Sequence, residues 1–135
     1  MCLFGGPLSK TKCATSLAVA LAALILASTA FAHHSMSAYD RSRTATMKGT
    51  VTEFSFSNPH AELYFDVRDD KGTIQKWTAE SPNPYRLAKS GWVKDSLKPG
   101  DEITVVGNPA KNGSPIMRLN RIILANGQSL PAYSY

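Results

Sequence analysis

The stretch AELYFDVRDDKGTIQKWTAE, residues 61–80, decides the fold class, because it contains two strands and the turn between them. In its first half Leu63, Phe65 and Val67 point to one side, and the residues between them point to the other. This period of two is typical of a half-buried strand. Residues 69–72, DDKG, form a turn sequence, so the whole stretch predicts a β-hairpin.

Three further strands are predicted around this hairpin. Residues 44–56, TATMKGTVTEFSF, are rich in Thr, Val and Phe, and Gly49 within them is expected to mark a bulge or a sharp bend. After the hairpin, EITVVGN (102–108) follows the turn sequence KPGD, and PIMRLNRIIL (115–124) follows the turn sequence KNGS. An Asn-Gly turn and a short tail complete the chain.

A short helix is predicted at residues 84–90, with Asn83 as its N-cap, Pro84 at its first position and Gly91 at its end. The order strand, strand, strand, helix, strand, strand is that of an OB-fold. We therefore predict an all-β fold with one short helix, a small closed five-stranded antiparallel barrel. An open sheet or a sandwich-like β domain is the alternative.

The first 32 residues have the pattern of a secretory signal peptide. Lys10 and Lys12 precede an apolar run at residues 17–26, and Ala30 and Ala32 provide small residues for cleavage. The pattern predicts export to the periplasm, cleavage after Ala32 or Ala30, and no stable membrane anchor after processing. An uncleaved anchor is the alternative. Residues 33–43 are then an N-terminal arm, and residues 44–135 form a single barrel domain.

Residues 33–135 carry 13 basic and 10 acidic residues, a net charge of +3, and no cysteine. This mild charge does not favour nucleic-acid binding, and a disulfide or a thiolate ligand is excluded. The chain contains no G-x-S-x-G turn and no glycine-rich phosphate loop after residue 32. We therefore expect a monomeric carrier or accessory protein rather than an enzyme, with an unknown periplasmic protein or small ligand as its partner.

The histidines carry the first hypothesis about function. Cleavage after Ala32 makes His33 the first residue, and its amine and imidazole can then chelate one metal ion. A second imidazole, from His34 or His60, would complete a planar set of three nitrogens that suits Cu(II). Met36 could add a thioether for Cu(I). The sequence thus predicts a transition-metal site, with copper as the metal.

Cleavage after Ala30 gives a different geometry for the same metal. His33 would then be the third residue, where the amine, two backbone amides and one imidazole bind Cu(II) or Ni(II) in a plane. The alternative for both cleavage sites is that the paired histidines are only a hydrophilic start, and that His60 is an ordinary loop residue.

A second hypothesis needs no metal. An OB-like module can bind a ligand or partner with exposed side chains, and five residues are candidates for such a pocket. They are Tyr64, Trp77, Glu80, Asn83 and Trp92. The aromatic members could equally belong to the core, because a barrel of this size has few other large apolar groups.

Several motifs of the chain resemble one family of small exported proteobacterial proteins. The motifs are AHHS (32–35), MKGTV (47–51), NPHA (58–61), WTAESPN (77–83), GW (91–92) and DSLKPGD (95–101). The family is of unknown function, the DUF family numbered 6152. The resemblance implies export and one compact β-rich domain, and it implies no reaction. Glu62 stands where the family pattern leads us to expect an aromatic or aliphatic residue.

Overall fold

The structure is a computed structural model that describes residues 36–133. A single 3-10 turn (Met36–Ala38) precedes the strands, and one helix, α1 (Pro84–Lys89), lies between the third and fourth strands. The strands are β1 (Ala45–Ser55), β2 (Glu62–Arg68), β3 (Ile74–Glu80), β4 (Glu102–Pro109), β5 (Ile116–Leu124) and β6 (Ser129–Pro131).

The first five strands form a closed barrel with OB-fold connectivity. The sheet order is β3-β2-β1-β4-β5-β6, and an additional pairing between β3 and β5 closes it. The barrel and its helix confirm the predicted fold. The prediction of purely antiparallel pairing is wrong at the closing seam, where β3 and β5 run parallel from Thr78↔Ile116 to Glu80↔Arg118. Strand direction cannot alternate around a closed ring of five strands, so at least one pair must be parallel.

The predicted tail contains a sixth strand. After the turn at Gly127, β6 pairs with β5 from Ile123↔Ser129 to Arg121↔Pro131. Leu130 is 9% exposed and Ala132 is fully buried, so this segment adds apolar side chains to the core. Burial of these side chains holds a strand that is too short to be recognised from its own pattern.

β1 pairs with β2 on one side and with β4 on the other. The bulge, however, lies between Val51 and Glu53 and not at Gly49. Gly49 permits a close approach instead. A Cβ atom there would lie 2.7 Å from the Phe65 ring and 2.8 Å from the Asp66 carbonyl oxygen.

The barrel encloses one hydrophobic core. Its largest fully buried side chains are Trp92, Phe65, Leu63, Leu87, Met117, Leu119, Ile122, Val51 and Val105. The Trp92 indole donates a 2.8 Å hydrogen bond to the Pro131 carbonyl oxygen and packs on Phe54, with ring centroids 5.6 Å apart. Burying an aromatic group of this size removes a large apolar area from water and, with its polar N–H satisfied, stabilises the fold.

Helix α1 has the predicted ends. The Asn83 side chain accepts a 3.0 Å hydrogen bond from the Arg86 backbone N–H, and Pro84 occupies the first turn. Gly91 has a φ of 88°, and beyond it the Trp92 N–H donates to the Leu87 carbonyl oxygen. This αL ending needs glycine, and it turns the chain so that Trp92 enters the core.

The described part of the arm lies along the end of β4. Tyr39 forms an isolated bridge with Ala110, and the Lys111 N–H donates a 2.9 Å hydrogen bond to the Ala38 carbonyl oxygen. Farther along the arm, the Asn108 side chain donates a 2.7 Å hydrogen bond to the Arg43 carbonyl oxygen. The arm is therefore fixed on the barrel from residue 38 onward.

Candidate functional site

Three carboxylates gather on the outer side of β1, β2 and β3. Glu62 and Glu80 are directly opposite each other in the β2–β3 register, and Glu53 on β1 is paired with Tyr64 on β2. We call these three glutamates the acidic face. Like charges directly opposite across two strands are destabilising. A cation bound near this face would therefore stabilise the barrel.

Two tyrosines donate hydrogen bonds to the acidic face. The Tyr39 hydroxyl donates to Glu80 Oε2, and the Tyr64 hydroxyl donates to Glu62 Oε2 at 2.7 Å. Burial, followed by the hydrogen bond to Glu80, raises the pKa of Tyr39 above its usual range. The hydrogen bond to Glu62 is the main cause that raises the pKa of Tyr64. Both phenols therefore stay protonated near neutral pH and serve as donors.

The loop between β1 and β2 borders the acidic face and carries His60. The side chain of His60 is exposed, and it lies two residues before Glu62. The next residue, Ala61, is fixed by two hydrogen bonds to its carbonyl oxygen, from the Ser81 N–H at 3.0 Å and the Ser81 hydroxyl at 2.7 Å. The end of this loop is thus held by hydrogen bonds to the residue that follows β3.

The other predicted metal ligands are placed differently. His33 and His34 lie outside the described residues, as does the side chain of Met36, whose backbone begins the 3-10 turn. Between residues 36 and 133, no three His, Cys, Asp or Glu side chains are grouped so that they could hold a metal ion. The part of the chain that the structure describes therefore does not form a complete metal site alone.

The five residues predicted to form a pocket are spread over the barrel. Tyr64 and Glu80 belong to the hydrogen-bonded cluster of the acidic face. Trp77 is half-buried, and its indole donates to the Gln75 side chain at 2.9 Å. Asn83 caps α1 and lines a small cleft beside it, whereas Trp92 is 1% exposed within the core.

The sequence interpretation missed Tyr39 as a part of this face. Its ring is 6% exposed although it belongs to a polar arm without periodicity, and only the bridge to Ala110 brings it to Glu80. Glu62 was recognisable in part, because strand alternation placed it on the polar side of β2 together with Tyr64.

A second charged region lies on another part of the barrel. It is an open cleft of about 800 Å³ between the arm, α1, β4, β5 and the chain beyond β6. Its polar lining includes four arginines, two asparagines and a tyrosine: Arg41, Arg86, Arg118, Arg121, Asn108, Asn120 and Tyr133. We call this cleft the basic groove. No residue that lines it is acidic.

Over the described residues, the structure contains no helix long and apolar enough to cross a membrane.

Comparison with known proteins identifies a family, and the function of that family is unknown. Residues 20–117 match the model of the "Family of unknown function (DUF6152)", so the chain belongs to that family. No curated protein matches the chain. Among solved structures, a "Crystal structure of tRNA fluorescent labeling enzyme" aligns with a TM-score of 0.43 and 16% identity over 63% of this chain. The aligned part is 18% of the length of that protein.

Proposed function

We propose that this member of the family is exported to the periplasm, processed after Ala32, and binds one copper ion through its new amino terminus. The α-amine and imidazole of His33 provide two ligands, and His34 or His60 provides the second imidazole. Planar nitrogen ligation of this kind suits Cu(II). The protein would act as a copper carrier or accessory protein, because its described residues suggest no reaction.

The observation that carries the proposal is the position at which the arm is fixed. Tyr39 is bonded to Glu80, at the end of β3 that lies opposite Glu62. His33 is six residues before Tyr39, so an extended chain lets it reach at most roughly 22 Å from that point. Glu62 and Glu80 of the acidic face lie at the ends of β2 and β3, and His60 is two residues before Glu62.

The charge of this region supports a cationic ligand. OB-folds commonly bind their ligands on the face of the second and third strands, beside the loops that flank it. Here that face carries Glu53, Glu62 and Glu80. Carboxylates raise the local concentration of cations and repel polyanions, which argues against nucleic acid as the ligand of this face.

The test compares three purified proteins that differ only at the amino terminus. One begins at His33, one at Phe31, and one carries Gly-Ser-Gly-Ser before His33, which separates the amine from the histidine pair. We expect the form that begins at His33 to bind one Cu(II) at least about 100-fold more tightly than the extended form. In the extended form the amine and the imidazole no longer belong to the same residue, so they cannot chelate the ion together. Competition with a Cu(II) chelator of known affinity measures the difference.

The form that begins at Phe31 distinguishes the two cleavage sites, because His33 is then the third residue and binds Cu(II) with backbone amides. Two variants of the form that begins at His33, His34→Ala and His60→Ala, identify the second imidazole. The variant that loses affinity for Cu(II) is the one from which that ligand has been removed. If all three forms bind equally, or if none binds, the terminal copper site is wrong.

The alternative is a periplasmic OB-like module that binds a small ligand or partner without a metal. Its binding should survive the Gly-Ser-Gly-Ser extension and should weaken with Tyr64→Ala, since Tyr64 is on the face and Trp92 is in the core. Measuring the far-ultraviolet circular dichroism of each variant separates loss of binding from loss of fold.

A further inference from the structure

The basic groove collects positive charge from three separate parts of the chain. Arg41 comes from the arm, Arg86 from α1, and Arg118 and Arg121 from β5. Four guanidinium groups around one cleft repel one another, and no carboxylate among the lining residues offsets them. This unfavourable arrangement would be relieved by an anion in the cleft.

A β-bulge places two neighbouring residues of β5 on the same side. Val106 pairs with Arg121 and Gly107 pairs with Leu119, so Asn120 is the extra residue. The side chains of Leu119 and Ile122 are buried, and those of Asn120 and Arg121 both line the groove. Bulges redirect side chains in this way and are frequent beside binding sites.

The bulge depends on a glycine in the opposite strand. A Cβ atom at Gly107 would lie 2.4 Å from the Arg118 carbonyl oxygen and 2.8 Å from the Met117 sulfur. Since neither a backbone carbonyl nor a buried methionine can move far, β4 and β5 can approach this closely only with glycine. The floor of the groove is therefore a fixed part of the fold.

Arg118 is held in position before any ligand arrives. Its Nε atom donates a 2.8 Å hydrogen bond to the Tyr133 hydroxyl, and its guanidinium carbon lies 4.2 Å from the centre of the Tyr133 ring. This contact uses Nε and leaves the terminal Nη groups for an anion. Because the side chain is already ordered, less conformational entropy is lost when it binds.

Positive charge continues beyond the groove. Arg86 and Tyr133 also line a neighbouring cleft of about 480 Å³, where Lys89 joins them. The nearest carboxylate in the strand register is Glu80, which is opposite Arg118 across the β3–β5 seam and accepts the hydrogen bond from Tyr39. The acidic face and the basic groove thus meet at this seam.

We infer that the basic groove binds a ligand that carries two or more clustered phosphate groups. Guanidinium groups form paired hydrogen bonds with phosphate oxygens, and several arginines around one cleft match the several charges of such a ligand. A single carboxylate or phosphate would offset too little of the charge. The phosphates could belong to a soluble oligophosphate or to the headgroup of a phosphorylated lipid.

The experiment uses the full processed chain and two probes. Isothermal titration calorimetry with inorganic tripolyphosphate tests the soluble source, and sedimentation with vesicles of cardiolipin, whose headgroup carries two phosphates, and phosphatidylcholine tests the lipid source. The variant Arg118→Gln/Arg121→Gln removes two charges from the groove. Its matched control, Lys71→Gln/Lys94→Gln, removes the same charge from exposed residues that do not line the groove.

We expect the chain to bind tripolyphosphate, the arginine variant to lose at least tenfold in affinity, and the lysine control to lose less than threefold. Binding to the vesicles with the same pattern of loss would support the site and assign its phosphates to a lipid. The inference is overturned if neither probe binds, or if both variants weaken binding equally, which would show only diffuse attraction. Circular dichroism verifies that both variants are folded.

Discussion

The acidic face and the basic groove are two oppositely charged regions of one small barrel, and they are constructed in different ways. Regular alternation along β2 and β3 places Glu62 and Glu80 side by side. A bulge in β5, together with residues from the arm and α1, assembles the arginines. The net charge of +3 after residue 32 hides this separation. A mild overall charge can therefore result from two oppositely charged surfaces that adjoin each other, here where Glu80 is paired with Arg118.

The largest predicted effect is a difference in how Cu(II) binding and tripolyphosphate binding respond to pH. Copper bound by an amine and imidazoles must compete with protons, because these groups have ordinary pKa values near 8 and 6.5. Lowering the pH from about 7.5 to about 5.5 should weaken Cu(II) binding roughly 10,000-fold, because protonation of the amine contributes about 100-fold and protonation of each of the two imidazoles about tenfold. Arginine stays charged throughout this range, so the affinity for tripolyphosphate should change only a few-fold.

Titrations of the same preparation with both probes at the two pH values check this prediction. Copper affinity that does not change with pH would contradict ligation by the amine and imidazoles. A parallel loss of both affinities would instead indicate that the barrel itself changes at low pH.

The second prediction compares Gly107, which supports the basic groove, with Gly49, which permits a close approach between β1 and β2. A Cβ atom at either position meets a backbone carbonyl oxygen, that of Arg118 at 2.4 Å in Gly107→Ala and that of Asp66 at 2.8 Å in Gly49→Ala. Overpacking of this kind costs about 1–3 kcal/mol. We expect Gly107→Ala to be near the upper end and Gly49→Ala near the lower end, because the contact with the backbone is shorter at Gly107. Urea denaturation measures both free energies of unfolding.

Only Gly107→Ala should also weaken tripolyphosphate binding, because it changes the bulge that holds Asn120 and Arg121. Equal effects of the two glycine variants on both stability and binding would mean that the groove does not depend on this close approach.

Most of the fold was predictable from local patterns, and most of the candidate site was not. Alternation in residues 61–80 and the Asn83 and Gly91 signals at α1 depend on neighbours in sequence. The Tyr39 bond to Glu80 spans 41 residues, and the bulge that turns Arg121 outward depends on how β5 pairs with β4. Such features arise from tertiary pairing, so no local pattern in the arm or in β5 reveals them.

The smallest predicted effect concerns the contact that fixes the arm beside the acidic face. Tyr39→Phe removes the hydroxyl that donates to Glu80 and should lower the free energy of unfolding by about 1 kcal/mol. Tyr85→Phe, at a residue that is 68% exposed, is the matched control and should have no measurable effect.

The pKa of Tyr39 gives this comparison a pH dependence. Because that pKa is raised in the folded protein, the phenol ionises first in the unfolded chain, above about pH 10. The stability of the unmodified protein should therefore fall as the pH rises through this range, and the fall should be smaller in Tyr39→Phe. Identical alkaline profiles for the two proteins would contradict the assigned contact.

The most direct test of the central claim is mass spectrometry of the protein isolated from the periplasm under non-denaturing conditions. We predict a chain that begins at His33 and carries one copper ion. A chain that retains residues 1–32, or one that begins at His33 and takes up no copper even in excess Cu(II), would contradict it.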